Sequence, residues 1–405
     1  MDLDDRLWRL YVKEILTHAT SGNFDPNTHV FSPASIVSSI SLGDFEPAVI
    51  NWTSYVFGDA IPSATGSYSP ASGLFISYWF FLSYAALGAN SIKDSDMIKA
   101  YRQKLQQKHE EFIRFRKRLP VDDALNLFAS KRDPESCSDI ISSLGNDNTL
   151  ENVHKRIINE LGRNDTTASS LARILNNCFL ASSQISNRYN MIVNLNTGNA
   201  NSYCPLYSIR NFNGIIAKWK ENAFAGRMDL KITLSISESD STLQQQEDIA
   251  DLPEIHMPVK FLNFYILGKD VSLAENLGSL SVEFAGFGAF DIEPGEWFDI
   301  SLIETHKSCL EEGAPLFFDK NGSLNLLPQK IVIGFRPRVS LRICGDNPAQ
   351  EMVDNLTSVG PFNISANSKD GVLQLEGKML NKEVIVFDAH ESAIPVLLGV
   401  ISKWL

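Results

Sequence analysis

The chain has 405 residues, of which 44% are hydrophobic and 21% charged, with a net charge of −12. That length exceeds one ordinary core and predicts two or three domains, and the hydrophobic content excludes a disordered chain. The acidic balance repels nucleic-acid phosphates and anionic lipid heads, so contact with either needs a local basic patch, and no nucleic-acid partner is expected.

The chain opens on MDLDDRLWRLYVKEIL, which reads as an amphipathic helix with Leu3, Leu7, Leu10 and Trp8 on one side. It carries acids where a secretory signal carries bases, and it lacks an apolar h-region. No lipidation signal is present. The five cysteines, Cys137, Cys178, Cys204, Cys309 and Cys344, are scattered and form no C-x-x-C pair. Reduced thiols in a cytoplasmic protein are the expectation.

A charge-free run spans residues 60–92, and at its centre lies GLFISYWFFLSYAALGA, residues 73–89. A helix this apolar all round is buried in protein or in lipid. At about 1.5 Å per residue it extends roughly 25 Å, short of the ~20 apolar residues of a comfortable span. Ser77, Tyr78, Ser83 and Tyr84 make it more polar than a good span, and Gly73, Ser77, Tyr84 and Gly88 share a stripe suited to close helix packing.

Residues 94–119 form the next helix. Asp94 or Ser95 caps it, Pro120 closes it, and Ile98, Tyr101, Leu105, Phe112, Phe115 and Leu119 make a heptad seam. Its C-terminal bases Arg114, Arg116, Lys117 and Arg118 suit the helix dipole and also suit anionic headgroups. The two helices together predict a long hairpin over residues 73–119, with one greasy arm and one charged arm. That layout resembles the α-helical pore-forming proteins, with the SATGSYSPASG approach as a hinge. Phe75, Trp79, Phe80, Phe81 and the four bases are the candidate membrane or assembly side chains. Residues 131–148 read as a loop, and residues 150–182 as further helix.

From about residue 203 the pattern alternates. RMDLKITLSIS, SLSVEF, QKIVIGF, RVSLRIC, GVLQLEG and KEVIVFDA read as strands separated by turns such as EPGE and DKNGS. Residues 238–254 read as an exposed acidic loop, and AIPVLLGVISKWL as a final core strand. Trp297 and Phe298 are expected to plug the end of a sandwich. Gly334 and Pro337 are expected to break a long strand, with Arg336 and Arg338 pairing Glu293, Glu296 and Asp299 or binding an anion.

Signs of chemistry are sparse. No pair among the seven histidines has zinc-ligand spacing, and the Rossmann, Walker A and G-x-S-x-G patterns are absent, so no cofactor or metal is implied. In VIVFDAHES, Asp388 and His390 fall on one face of a strand, the pairing a general base requires, with His256 or His306 as partners from elsewhere.

The expected architecture is α+β: a mainly helical region over residues 1–200 containing the hairpin, then an antiparallel β-sandwich over residues 201–405. The expected function is non-enzymatic, through self-assembly or conditional membrane insertion, with another copy of the chain or a membrane surface as partner. The alternative is an enzyme or small-molecule-binding protein with its site near Asp388 and His390.

Overall fold

The computed structural model describes residues 3–39, 54, 58–59, 73–88, 95–118, 148–161, 166–183, 191–192, 202–203, 206–235, 260–264, 277–308, 310, 313–318, 322–343, 355–364, 375–379, 384–389 and 395–405. The fold is mixed α+β, with helices toward the N-terminus and antiparallel sheets toward the C-terminus. Helix α1 (Leu3–Thr20) precedes strand β1 (His29–Ser39). Among the described residues the longer helices that follow are α2 (Leu74–Gly88), α3 (Ser95–Arg118), α4 (Asn148–Leu161) and α5 (Thr166–Ser183). The link between α2 and α3, residues 131–147 of the loop expected at 131–148 and the acidic stretch at 238–254 lie outside the described residues, and Asn148 already begins α4. The helical stretch expected at 150–182 comprises two helices, α4 and α5.

Short strands β2 (Met191–Ile192), β3 (Ser202–Tyr203) and β4 (Tyr207–Ile209) lead into α6 (Phe212–Phe224) and β5 (Leu230–Ser235). After β6 (Leu262–Phe264) come the two longest strands, β7 (Leu277–Pro294) and β8 (Leu326–Ile343), with the short helix α7 (Ile300–His306) between them. The chain ends with β9 (Leu356–Val359), β10 (Phe362–Asn363), β11 (Leu375–Met379), β12 (Val384–Ala389) and β13 (Pro395–Trp404).

β7 and β8 pair along most of their length and form the spine of an eight-stranded, curled half-barrel sheet. The outer flank of each spine strand changes partner midway. β8 takes β13 against its first half and β12 against its second, and β7 takes β5 at one end and β4 at the other. β1 adds to β13, and β11 adds to β12. So a strand from the N-terminal half of the chain lies in the same sheet as the last strand. A smaller sheet joins β10, β9 and β6.

The expected break at Gly334 and Pro337 takes another form. β8 runs through both residues, and between Phe335 and Arg338 its outer flank has no register partner among the described residues. Arg336, in that gap, has a left-handed φ of 49°. A left-handed residue within a strand turns the backbone and resets its alternation. Before Arg336, Ile331, Ile333 and Phe335 enter the helical core; after it, Val339, Leu341 and Ile343 enter the other core. The reversal lets one pair of strands serve two cores.

The first core gathers α2 to α7 against the β4 end of the sheet. Trp219 of α6 lies over Gly286 of β7, and a Cβ at Gly286 would overlap the indole. In the second core, α1 lies between the curled sheet and the small sheet. Leu7, Trp8, Tyr11, Val12, Ile15 and Leu16 are buried there, so the buried stripe of α1 is displaced from the expected one and leaves Leu10 at its margin. Asp4 fixes the helix by accepting from the backbone N–H groups of Phe261 and Leu262 at 3.1 and 3.3 Å.

Candidate functional site

α2 has no charged residue, and nothing in its sequence marks an outer face. The fold supplies partners on nearly every side. Phe75, Trp79 and Phe81 are 2%, 0% and 0% exposed, while Phe80 is half-buried against the same core. Residues 297–299 cover one flank: the Phe75 ring meets Trp297 edge-on at 4.9 Å, and Tyr78 packs on Phe298 at 4.6 Å. The Tyr78 hydroxyl donates to the Asp299 carbonyl at 2.9 Å and accepts from the Asp299 N–H at 3.1 Å. Trp297 and Phe298 therefore close the helical core over α2. Phe317 and Phe318 cover Phe81 further along, at 5.6 and 5.3 Å.

The N-terminal end of α2 is held by a residue outside the apolar run. Asp59, the last charge before that run, is fully buried. Its Oδ1 accepts from the Phe75 N–H at 2.6 Å and from the Tyr207 hydroxyl at 2.8 Å, and its carbonyl accepts from the Leu74 N–H at 2.7 Å. A carboxylate at a helix N-terminus satisfies orphan amides and complements the dipole. The sequence signal was the position of this one acid, immediately before a long neutral stretch and a helix.

α3 covers α2 through polar as well as apolar contacts. The Trp79 indole donates to the Tyr101 hydroxyl at 2.8 Å, and that hydroxyl meets His154 Nδ1 of α4 at 3.2 Å. The His154 ring stacks on Phe179 of α5, with centroids 4.3 Å apart and planes within 13°. Burial lowers the His154 pKa from 6.5 to about 4, opposed by Asn176 and Glu151. Burial also raises the Tyr101 hydroxyl and the Cys178 thiol, both above their ordinary ranges. Cys178 is the one cysteine among the described residues, and its thiol donates to the Trp297 carbonyl at 3.3 Å.

The stripe expected for close helix packing is the least covered flank of α2. Ser77, Phe80 and Tyr84 are half-buried there. Phe80 meets Tyr84 edge-on at 5.3 Å, and the Arg102 guanidinium lies 3.4 Å over the Tyr84 ring, a cation–π contact. The bases Arg114, Arg116, Lys117 and Arg118 fall on the last turns of α3, and their side chains lie outside the described residues.

Asp388 stands elsewhere, on the outward face of β12, and His390 and His256 lie outside the described residues. His306 is buried on α7, whose Leu302 and Ile303 belong to the helical core. Asp388 Oδ2 accepts from Arg338 Nη2 at 2.7 Å and from its Nε at 3.1 Å. Arg338 also faces Glu283 at 3.9 Å, and Glu283 pairs with Lys231 at 2.7 Å. These four residues are successive register partners on β5, β7, β8 and β12. They form a charge ladder across an open sheet face, as opposite charges on neighbouring strands prefer. Arg338 thus pairs with Asp388 and Glu283 rather than with Glu293, Glu296 or Asp299. Arg173 takes Asp299 at 3.7 Å, and Arg210 takes Glu293 at 2.5 Å. The sequence identifies the strands of the ladder but not their register.

Among the described residues no group of three or more His, Cys, Asp or Glu side chains is placed to hold a metal ion, and no helix is long and apolar enough to cross a membrane. The chain matches no protein-family model, no curated protein and no solved structure.

Proposed function

We propose that the protein acts non-enzymatically, by self-assembly or conditional membrane insertion, and that the acting element is a helical hairpin over residues 73–119. The C-terminal strands serve as a sandwich-like packing or recognition domain. The observation that carries this reading is the contrast between α2 and its cover. α2 is charge-free around its whole circumference, whereas α3 buries Met97, Ile98, Tyr101 and Leu105 against the core and turns Asp96, Lys99, Gln103 and Gln106 outward. A helix of the first kind needs a sheath of protein or lipid; one of the second kind is stable at a water boundary. Removing the amphipathic cover would leave an apolar surface suited to a bilayer or to a second copy.

Dye release from anionic vesicles, read beside light scattering of the protein alone, tests this. Wild type is expected to release dye or form large particles under at least one condition of pH and lipid. Phe80→Asp, which puts a charge on the thinnest part of the sheath, is expected to abolish both while circular dichroism stays native. A clean monomer at high concentration that releases no dye at any pH would sink the reading.

A further inference from the structure

The geometry points to acid as the condition that removes the sheath from α2, with His154 as the sensor. This rests on the reading of α2 as the acting element.

One hydrogen-bond chain through α2, α3 and α4 has a fixed direction. An indole N–H only donates, so at 2.8 Å the Tyr101 oxygen accepts from Trp79. The Tyr101 hydroxyl hydrogen is then free to donate to His154 Nδ1 at 3.2 Å, which fixes the neutral tautomer with its proton on Nε2. Three helices, α2, α3 and α4, are tied by this chain, and Phe179 of α5 closes over the imidazole face. Adding a proton at Nδ1 sets two donors against each other. The Tyr101 hydroxyl would have to turn its hydrogen away, in a pocket where it is 1% exposed. The cost of that orphaned donor, added to the cost of a buried cation, falls on the contact between α2 and its cover.

Asn176 and Glu151 favour the cation, but burial outweighs both. Among the described residues, α3 faces His154 with Tyr101, α5 with Phe179 and Asn176, and α2 is linked to it through Trp79 and Tyr101. The buried thiol of Cys178 lies toward Tyr101. Among the described residues the one charge that bears on His154 is Glu151 on its own helix, which is itself 2.5 Å from Lys155. His154 Nε2 is buried, and no hydrogen bond to it closes.

The sign follows from linkage. The folded imidazole binds its proton at about pH 4, whereas an exposed one does so at 6.5. The opened state therefore takes up the proton first. The sheath is at full strength above about pH 6.5 and weakens as pH falls toward 4, by about tenfold per pH unit in the closed-to-open ratio. Between pH 6.5 and 4.5 that amounts to roughly fortyfold from His154 alone.

The test uses the full chain and three readouts. Hydrogen exchange of residues 74–88 without lipid follows the sheath, dye release from phosphatidylserine-containing vesicles together with light scattering follows the action, and deuterium exchange at the histidine C2 positions follows the sensor. Wild type is expected to lose up to about fortyfold in α2 protection between pH 6.5 and 4.5. His154→Phe, which keeps the stack on Phe179 and removes the titration, is expected to keep its protection over that range. Wild-type His154 is expected to titrate below pH 5, a measurement that needs no variant to fold. Equal loss in wild type and variant, or a His154 that titrates near 6.5, would overturn the switch. Acid opening through His154 without dye release or assembly would leave the switch standing and remove the functional reading above. Dye release or assembly that ignores pH would do the reverse.

Discussion

The two cores of this protein differ in how many polar groups they bury and bond. The core around α2 is rich in aromatic rings and wired with polar groups: Asp59, Tyr78, Trp79, Tyr101, His154 and Cys178 all make hydrogen bonds inside it. The core under α1 is mostly aliphatic side chains from an alternating sheet, closed by a cluster of Trp8, Tyr11, Phe261 and Phe362 in edge-on contact. Its Tyr11 hydroxyl is buried with no partner. A dry core responds to pH only weakly, whereas a core with buried titratable groups in its helix contacts is coupled to it. The difference shows how one fold can keep a rigid frame beside a releasable part.

The largest effect that would test the comparison comes from removing the centre of the helical core. Trp79→Ala is expected to cost about 3–5 kcal/mol in urea denaturation, since it deletes a fully buried ring and strands the Tyr101–His154 pair. A cost below about 1 kcal/mol would mean that α2 is not packed as described. Gly286→Ala is next. The added methyl overlaps the Trp219 indole, so α6 must shift on β7, and about 1–3 kcal/mol is expected.

A matched pair of tyrosine substitutions sharpens the contrast between the cores. Tyr101→Phe leaves the Trp79 N–H and His154 Nδ1 without their partner and is expected to cost about 1–3 kcal/mol. Tyr11→Phe removes a hydroxyl that makes no bond and is expected to be neutral or stabilising. Equal costs would erase the distinction. The smallest effect belongs to the charge ladder. Arg338→Ala is expected to cost about 0.5–1 kcal/mol at low salt and less at high salt, because Arg338 and Asp388 remain about one-third exposed. A larger, salt-independent loss would show that the ladder is structural.

These features were unequally legible in the sequence. The charge-free run, the helical spacing from Ile98 and the change from helical to alternating pattern are local features, and α2, α3 and the later strands fall within them. Asp59 was legible in principle, as the last acid before the run. The Trp79–Tyr101–His154 chain was not, because it joins residues 22 and 53 positions apart on three helices, and no local pattern encodes their facing rotamers. The phase reversal in β8 was hidden for another reason. Gly334 and Pro337 marked the place, but the left-handed conformation falls on Arg336, a residue that rarely adopts it. Register hid the ladder, since the partner of Arg338 depends on how β12 slides against β8.

The most direct test of the central claim is hydrogen exchange in the presence of anionic vesicles at pH 5, comparing α2 with β7 and β8. If α2 is a sheathed element that leaves a rigid frame, residues 74–88 change their exchange while the paired centre of β7 and β8 stays protected. If α2 stays as protected as those strands, or loses protection only together with them, it is an ordinary core helix and the account is wrong.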